Sequence, residues 1–312
     1  MTPTESLSDR RMPLLAGAGR MPALGFGTLI PDAEETRIAT GLALEAGFRH
    51  LDCSERYRNE EQIGQAIQNC LQSGEMRREE LFVTTKLWNN NHRPDRVQPA
   101  ILASRNRLKL QYLDLYLVHT PYAFRPGEDQ DPRDGHDNVI YDKETTLLDT
   151  WKAMEGLVGQ GLCKAIGLSN VGLEQLREIF AQATIKPSVV QVECHPYLPQ
   201  TELLEFCNSN GLVLLAFAPL GHGIRPGPLT DPVILDLARQ FGRTPAQVLL
   251  AWAVQRGTAI LTTPRTRERA RENFDISALP ADALAQVDAI QTRQRFNHVT
   301  RTGVPGFIEK GS

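Results

Sequence analysis

Short, continuous apolar segments alternate along this chain with longer segments in which apolar residues recur at helical spacing. The short segments are predicted as eight strands, over residues 24–28, 48–53, 81–86, 113–119, 163–168, 188–193, 212–217 and 259–263. Most of them are apolar throughout rather than alternating, which is typical of parallel strands that are covered on both faces. Eight such strands with helices between them predict an α/β fold, a single-domain (β/α)8 TIM barrel.

Glycine and proline residues mark the segments outside this alternation. Residues 14–25 hold glycines and a proline between apolar residues, which predicts a small N-terminal hairpin. Residues 1–11 are predicted as a loose tail, which leaves 12–312 for the barrel domain. Residues 121–143 and 219–228 form connections that are too long for plain turns. Because long loops in compact domains are usually functional, both are predicted to close over ligands on the C-terminal face of the barrel.

Composition and charge restrict the partners. Of the 312 residues, 41% are hydrophobic and 23% charged, which is ordinary for a soluble globular protein, and the formal net charge of −3 implies no basic face for nucleic acid. The five cysteines are odd in number and form no CxxC pair, so we expect reduced core thiols and a cytoplasmic protein. No signal peptide is expected from the charged N-terminal residues, and the most apolar stretch, residues 212–220, is too short to span a bilayer. We therefore expect a small-molecule substrate, and neither nucleic acid nor a membrane.

Four polar side chains lie at or just after the ends of three consecutive predicted strands. Asp52 ends the apolar core of the second strand and Tyr57 follows five residues later, Lys86 ends the third strand, and His119 ends the fourth. The C-terminal ends of parallel strands meet at one rim of a barrel, where TIM barrels place their active sites. Each residue alone is more often structural. The four together favour a proton-donating site.

These four residue types suit the reduction of a carbonyl group. The carbonyl takes a hydride at carbon and a proton at oxygen, so the site needs a positioned proton donor. Tyr57 is the best candidate, although an unperturbed tyrosine has a pKa of about 10. Lys86, held cationic by Asp52, would stabilise the tyrosinate and lower that pKa. His119 would hydrogen-bond the carbonyl oxygen and orient the substrate.

With two later motifs, these residues make the chain resemble an aldo-keto reductase of the aldehyde or aldose reductase type, from about Leu14 to about Gly306. The later motifs are Ile166-Gly167-Leu168-Ser169-Asn170 and Pro264-Arg265-Thr266 followed by Arg269, Glu272 and Asn273. The resemblance assigns the same roles to Tyr57, Lys86, Asp52 and His119. It implies a monomeric, NADPH-dependent oxidoreductase that reduces aldehydes or ketones to alcohols.

The hydride must come from a nicotinamide, because no side chain can supply it. The chain has no GxGxxG loop between a strand and a helix, so a Rossmann domain is not expected. The resemblance implies instead that an extended dinucleotide crosses the barrel mouth. Its nicotinamide half would contact Ser169, Asn170 and Gln191 at the carboxamide, Phe217 on the ring face, Thr28 and Leu29 on the ribose side, and also Gly27 and Asp52.

For the other half of the cofactor, the resemblance implies Ala218, Leu220, Gly221, Arg265, Thr266, Arg269, Glu272 and Asn273. Phe217 and Ala218 stand where the family usually has tyrosine and serine. Stacking needs only a flat ring, whereas the lost hydroxyl leaves more of the pyrophosphate contact to the backbone N–H groups of residues 220–223.

The arginines near residue 265 set the expected cofactor preference. The 2′-phosphate of NADPH needs cationic, fork-shaped donors, so Arg265 and Arg269 favour NADPH over NADH. The spacing between Thr266 and Arg269 is two residues shorter than usual, so Arg267 or Arg271 could share the role. A solvated helix face is the alternative interpretation of these arginines.

The substrate pocket is the least determined part of the site. Trp88, two residues after Lys86, should project over the active site as the matching tryptophan does in the family. The remaining walls are predicted from Leu29, Arg56, Tyr122 and the segment around Phe296 and Asn297, which resembles the tail of xylose reductases. Trp88 and Leu29 favour apolar aldehydes while Arg56 and Asn297 favour polar ones, so the substrate class stays open.

Two other functions remain as alternatives. Lys86 at a strand end could form a Schiff base, as in an aldolase, although an aldolase would not need the late arginine cluster. A non-catalytic redox sensor that binds NADPH and a partner protein is the second alternative, and the intact set of four polar residues argues against it. His50, His195 and His222 share no metal-ligand spacing, so no metal site is expected.

Overall fold

The computed structural model of the chain describes residues 5–297. Its strands are β1 (Arg11–Pro13), β2 (Arg20–Pro22), β3 (Leu24–Gly27), β4 (His50–Asp52), β5 (Phe82–Leu87), β6 (Leu113–Val118), β7 (Cys163–Ser169), β8 (Val189–Glu193), β9 (Val213–Phe217) and β10 (Ala259–Thr262). Its helices are α1 (Ala33–Ala46), α2 (Glu60–Gln72), α3 (Pro94–Leu108), α4 (Leu147–Gly159), α5 (Leu173–Gln182), α6 (Thr201–Asn210), α7 (Pro232–Phe241), α8 (Pro245–Gln255), α9 (Arg267–Phe274) and α10 (Ala281–Asp288).

Strands β3 to β10 close into one parallel barrel, which confirms the predicted (β/α)8 fold. They are paired in the order β10-β3-β4-β5-β6-β7-β8-β9, and the ring closes between β9 and β10. Each strand begins and ends within two residues of its predicted bounds. The ends of helix α4 are also set by nearby residues. Thr146 and Asp149 form a capping box at its start, and Gly161, which has a left-handed backbone, follows its end.

The side chains of the barrel strands divide into two layers. Leu115 and Leu117 of β6 point into the barrel, where they belong to an interior cluster with residues of β5, β7, β8, β9 and β10. Tyr116 and Val118 of the same strand pack outward against the helices. The interior is therefore filled, and a ligand can reach the barrel only at its rims.

The N-terminal hairpin covers the amino-terminal end of the barrel. β1 and β2 pair antiparallel with Met12 opposite Met21, so the hairpin begins three residues earlier than predicted, and Met21 is fully buried in the interior cluster. The described part of the predicted loose tail is also packed, because Leu7 is buried and its N–H donates to the carbonyl oxygen of Ile276 at 3.0 Å. Residues 1–4 of that tail, and 298–312 of the predicted domain, lie outside the described residues.

Both long connections predicted from the sequence lie on the C-terminal face of the barrel. The β6–α4 loop (residues 119–146) is tied to the connection after β5, since Phe124 N donates to the Asn89 carbonyl oxygen at 2.9 Å and Asn90 Nδ2 to that of Gly127 at 2.8 Å. The β9–α7 loop (residues 218–231) follows β9 on the same face. The two loops flank the rim where the four polar residues lie.

Candidate active site

The structure brings Asp52, Tyr57, Lys86 and His119 together at the C-terminal rim. Asp52 ends β4, Tyr57 ends the short 3-10 turn after it, Lys86 is in β5, and His119 directly follows β6. Lys86 is fully buried, and its Nζ donates to Asp52 Oδ2 at 2.6 Å, to the Cys53 carbonyl oxygen at 2.8 Å and to the Tyr57 hydroxyl at 3.3 Å. All three ammonium hydrogens are thereby directed, and one of them points at the phenol.

The charges of this group follow from burial and from the ion pair. Burial acts to lower the pKa of Lys86, but the Asp52 carboxylate raises it, and the net pKa lies above its usual value. Burial raises the pKa of Tyr57 and outweighs the Lys86 ammonium, which acts to lower it. Lys86 therefore lowers the pKa of Tyr57 as expected, but the net pKa of Tyr57 is raised because burial has the larger effect. At neutral pH the phenol is protonated, which is the form that a proton donor needs.

His119 is held in its neutral form. Burial, followed by the nearby charges of Lys86 and Arg56, lowers its pKa well below the usual value. Its Nδ1 lies 3.0 Å from Ser54 Oγ, and its ring stands edge-on to that of Tyr57, with centroids 5.7 Å apart. Burial also lowers the pKa of two histidines outside the site, His50 to about 4 and His92 to about 3.

Two of the residues predicted for the nicotinamide carboxamide, Gln191 and Asn170, hydrogen-bond to the predicted catalytic residues. Gln191, in β8, donates its Nε2 to Asp52 Oδ1 at 2.7 Å, so Asp52 accepts from both Gln191 and Lys86. Asn170 has a left-handed backbone (φ 56°), and its Nδ2 donates to the His119 carbonyl oxygen at 2.9 Å and to Ser169 Oγ at 3.1 Å. These side chains therefore form one connected network at the rim.

The residues predicted on the ribose side lie beside Asp52. Gly27 pairs with Asp52 across β3 and β4, and Thr28 Oγ1 donates to the Asp52 carbonyl oxygen at 2.9 Å. Leu29, which comes next, is 57% exposed. An exposed leucine beside a buried polar network leaves an apolar surface for a ligand at the barrel mouth.

The β9–α7 loop begins with a tight turn at the predicted pyrophosphate residues. Phe217, at the end of β9, is half-buried, and Ala218 has a left-handed backbone (φ 51°), which is uncommon for a residue with a Cβ. Leu220 is half-buried, whereas Gly221 is buried and also left-handed (φ 63°). A Cβ on Gly221 would lie 2.7 Å from Pro228 Cδ, so the turn requires glycine there.

The residues predicted for the 2′-phosphate lie at the exposed N-terminus of α9. Thr266 is the N-cap, and its Oγ1 accepts from Arg269 N at 3.3 Å. Arg265 and Arg269 are exposed, and Arg265 Nη1 lies 3.4 Å from Glu35 Oε1. Exposed guanidinium groups at a helix N-terminus suit a phosphate dianion.

The other residues of α9 are directed at the protein. Arg267 and Arg271 both form ion pairs with Glu45 of α1. Asn273 is buried, and its Nδ2 donates to Thr262 Oγ1 of β10 at 2.7 Å. That nitrogen is thus directed at the barrel rather than at an adenine ring, while Glu272 is half-buried beside it.

Trp88 and Arg56 lie at the predicted substrate wall and are both engaged by the β6–α4 loop. The Trp88 ring stands edge-on to that of His119, with centroids 5.0 Å apart, and its Nε1 donates to the Gln130 carbonyl oxygen at 2.6 Å. Arg56 forms a two-bond ion pair with Asp131, at 3.2 and 2.6 Å. Because Asp131 neutralises this guanidinium, the case for Arg56 as a contact for polar substrates is weakened.

The C-terminal segment is anchored by Glu193, at the end of β8. Glu193 is fully buried, and it accepts from Phe296 N at 2.7 Å, from Asn297 N at 2.8 Å and from the His195 ring at 2.9 Å. Tyr122, the remaining predicted wall residue, is half-buried and packs against the pair formed by Trp88 and Phe124. The anchor places Phe296 and Asn297 at the same rim as the catalytic group.

The sequence analysis missed four residues of this site: Ser54, Gln130, Asp131 and Glu193. Glu193 carried the same signal as Asp52, a carboxylate that ends an apolar strand. The two loop residues lie in a connection without periodicity, so only its position on the C-terminal face was predictable.

Residues 5–297 contain neither a metal-ligating cluster nor a membrane-spanning helix. Within that range, no three or more His, Cys, Asp or Glu side chains are grouped so that they could hold a metal ion. None of the helices in the same range combines the length and the apolar character needed to cross a membrane.

Comparisons with known proteins show which family the chain resembles over most of its length. The model of the Aldo/keto reductase family matches residues 23–292. Aldo-keto reductase family 1 member A1 from Rattus norvegicus is 42% identical over 294 residues, which cover 91% of this chain and 90% of the relative, and the Homo sapiens protein of that name is 41% identical. The solved structure of the aldose reductase from Schistosoma japonicum superimposes with a TM-score of 0.90 at 37% identity, covering 97% of this chain and 99% of that one.

Proposed function

Since the chain belongs to the aldo/keto reductase family, we propose that it reduces aldehyde or ketone carbonyls to alcohols with NADPH as the hydride donor. The observation that carries this proposal is the position of Lys86 Nζ. It lies 2.6 Å from a carboxylate oxygen of Asp52 and 3.3 Å from the Tyr57 hydroxyl, at the rim of the barrel. A phenol next to a buried ammonium group is a proton donor whose conjugate base is stabilised where it forms.

Each residue of the group has a distinct part in the reaction. The chemistry that NADPH would supply when bound is a hydride for the carbonyl carbon. Tyr57 gives its proton to the carbonyl oxygen, and Lys86 stabilises the tyrosinate that results. Asp52 keeps Lys86 cationic and in place, and neutral His119 hydrogen-bonds the carbonyl oxygen. Trp88 shields one side of the substrate from water.

The residues present fit NADPH. The buried amide of Gln191, the buried hydroxyl of Ser169 and the half-buried amide of Asn170 suit a carboxamide, and the half-buried ring of Phe217 suits a flat heterocycle. The exposed arginines at the N-terminus of α9 suit the 2′-phosphate that distinguishes NADPH from NADH. We therefore infer NADPH as the preferred cofactor.

The protonation state of Lys86 argues against a Schiff-base aldolase. A lysine that attacks a carbonyl must be neutral. The Asp52 carboxylate raises the pKa of Lys86, and its Nζ is enclosed by three acceptors. Lys86 is thus a cation with no free electron pair.

The test is NADPH oxidation with a panel of aliphatic, aromatic and sugar aldehydes and ketones, followed by the absorbance at about 340 nm. Turnover in wild type that is lost in Tyr57→Phe would support the proposal. Tight NADPH binding with no turnover of any panel member would instead support the redox sensor. Trapping of substrate on Lys86 by borohydride would support the aldolase.

Two further expectations belong to this proposal. All five cysteines are free thiols in the structure, in keeping with a reducing compartment such as the cytoplasm. We expect a monomer, and a stable dimer by light scattering at micromolar concentration would contradict that expectation.

A further inference from the structure

Ser54 lies between Asp52 and Tyr57 and contacts a third catalytic residue. It is fully buried and is the N-cap of the 3-10 turn that ends at Tyr57. Its Oγ accepts from Arg56 N at 3.1 Å and lies 3.0 Å from His119 Nδ1. One hydroxyl therefore joins the turn that carries the acid to the ring that orients the substrate.

The direction of the bond between Ser54 and His119 follows from counting hydrogens. A serine hydroxyl has one hydrogen and two lone pairs, and Arg56 N–H takes one lone pair. Among residues 5–297, His119 Nδ1 is the acceptor within reach of the hydroxyl hydrogen. If Nδ1 carried its own hydrogen, the buried hydroxyl hydrogen of Ser54 would have no acceptor, which is unfavourable. Ser54 is therefore the donor and Nδ1 the acceptor.

The second ring nitrogen of His119 is then determined as well. The neutral imidazole carries a single hydrogen, and burial together with the charges of Lys86 and Arg56 keeps His119 neutral. With Nδ1 as an acceptor, that hydrogen is on Nε2. A hydrogen on Nε2 can be donated to a carbonyl oxygen, whereas a bare Nε2 would repel it.

We propose that Ser54 is a positioning residue that holds neutral His119 as its Nε2–H tautomer, so that His119 donates to the substrate. The consequence for catalysis depends on the function proposed above, while the tautomer itself does not. The same hydroxyl fixes the ring orientation relative to Tyr57, because its other contact is to the turn that carries Tyr57.

The experiment reads the tautomer directly by NMR. The chain has seven histidines, so protein labelled with 15N at histidine is compared with a His119→Gln variant to identify the His119 signals. Two-bond 1H–15N correlations then distinguish Nε2–H from Nδ1–H. We expect Nε2–H in wild type. In Ser54→Ala we expect a measurable population of Nδ1–H, a roughly tenfold lower kcat and an NADPH Kd within about twofold of wild type.

The matched variant is Ser54→Thr. The backbone at Ser54 is extended (φ −161°, ψ 142°), which a β-branched residue adopts readily, and threonine keeps the hydroxyl. We expect it to retain the Nε2–H tautomer and at least half of the wild-type kcat. Ser54→Gly, which removes the hydroxyl at an N-cap position that tolerates glycine, replaces the alanine variant if that one does not fold.

Two results would overturn the proposal: Nδ1–H in the wild-type protein, or an unchanged tautomer in Ser54→Ala and Ser54→Gly. In the second case a lower kcat would come from the lost cap alone. If no carbonyl compound is turned over but the tautomers change as expected, the proposed function fails and the assignment of Ser54 stands.

Discussion

Replacing Lys86 by methionine tests the central electrostatic contact of the site. The ammonium lies 3.3 Å from the phenol oxygen, a distance at which a unit charge is worth about 5 kcal/mol at an effective dielectric constant of about 20. Asp52 opposes this effect, since its carboxylate acts to raise the pKa of Tyr57. Because Lys86→Met leaves the Asp52 carboxylate in place, the forming tyrosinate loses the full amount of about 5 kcal/mol, or roughly 10³–10⁴-fold in kcat. If Asp52 cancels about half of the Lys86 effect, removing both charges costs about 2.5 kcal/mol, or roughly 10²-fold.

The same substitution also leaves the Asp52 carboxylate buried without its cation. Breaking a buried ion pair by removing one partner costs about 3–5 kcal/mol of folding free energy, although Gln191 still donates to Asp52. The double variant Asp52→Asn/Lys86→Met removes both charges and should regain most of this loss in a urea titration. It therefore serves as the matched control for the single variant.

The double variant should therefore recover stability without recovering wild-type activity. Both variants should bind NADPH, measured by quenching of protein fluorescence. For a good aldehyde, kcat should fall roughly 10³–10⁴-fold in the single variant and roughly 10²-fold in the double variant. Wild-type turnover in the double variant would refute the reasoning, because Lys86 would then be needed only to neutralise Asp52.

Three further predictions concern the proton donor, the cofactor preference and the pH dependence of stability. Tyr57→Phe should keep NADPH affinity and lose about 10²–10⁴-fold in kcat, and more than half of wild-type kcat would exclude Tyr57 as the acid. Arg269→Ala should weaken NADPH binding by about 1.5–3 kcal/mol and NADH binding far less, and equal wild-type kcat/KM for the two cofactors would rule out the assignment. The unfolding free energy should fall by roughly 2 kcal/mol between about pH 6.5 and 5.5, because the three histidines described above have lowered pKa values and the unfolded chain binds more protons. Glu55, whose pKa burial raises to about 7, acts in the opposite direction and is included in that figure, so denaturant titrations of Glu55→Gln should show a steeper fall.

The barrel could be predicted from the sequence because its strands are buried on both faces. Most of the strands are mainly apolar runs bounded by polar or turn residues, so both their type and their bounds are local properties of the sequence. The docking of Leu7 could not be predicted in the same way, since a single apolar residue in a polar tail has no period. The early start of the hairpin has a similar cause: Arg11 and Arg20 are exposed polar residues at the first positions of β1 and β2, where no apolar pattern indicates a strand.

The residues of the candidate site likewise fall into a group that the sequence predicts and a group that it does not. Asp52, Lys86 and His119 were predictable because parallel strands bring their C-terminal ends to one rim. The contact of Asp131 with Arg56 was not, because it depends on how residues 119–146 fold over the rim. The net pKa of Tyr57 also escaped prediction, since burial of the phenol is a property of the assembled protein.

The Glu193 anchor has a consequence for how this enzyme could acquire new substrates. Its carboxylate binds the main-chain N–H groups of residues 296 and 297, which every amino acid except proline possesses. The side chain of Asn297, which we propose as part of the substrate wall, can therefore be exchanged while the main chain keeps its hydrogen bonds to Glu193. Because Glu193 binds only the main chain of this segment, the side chains at residues 296 and 297 can change one at a time without loss of the anchor.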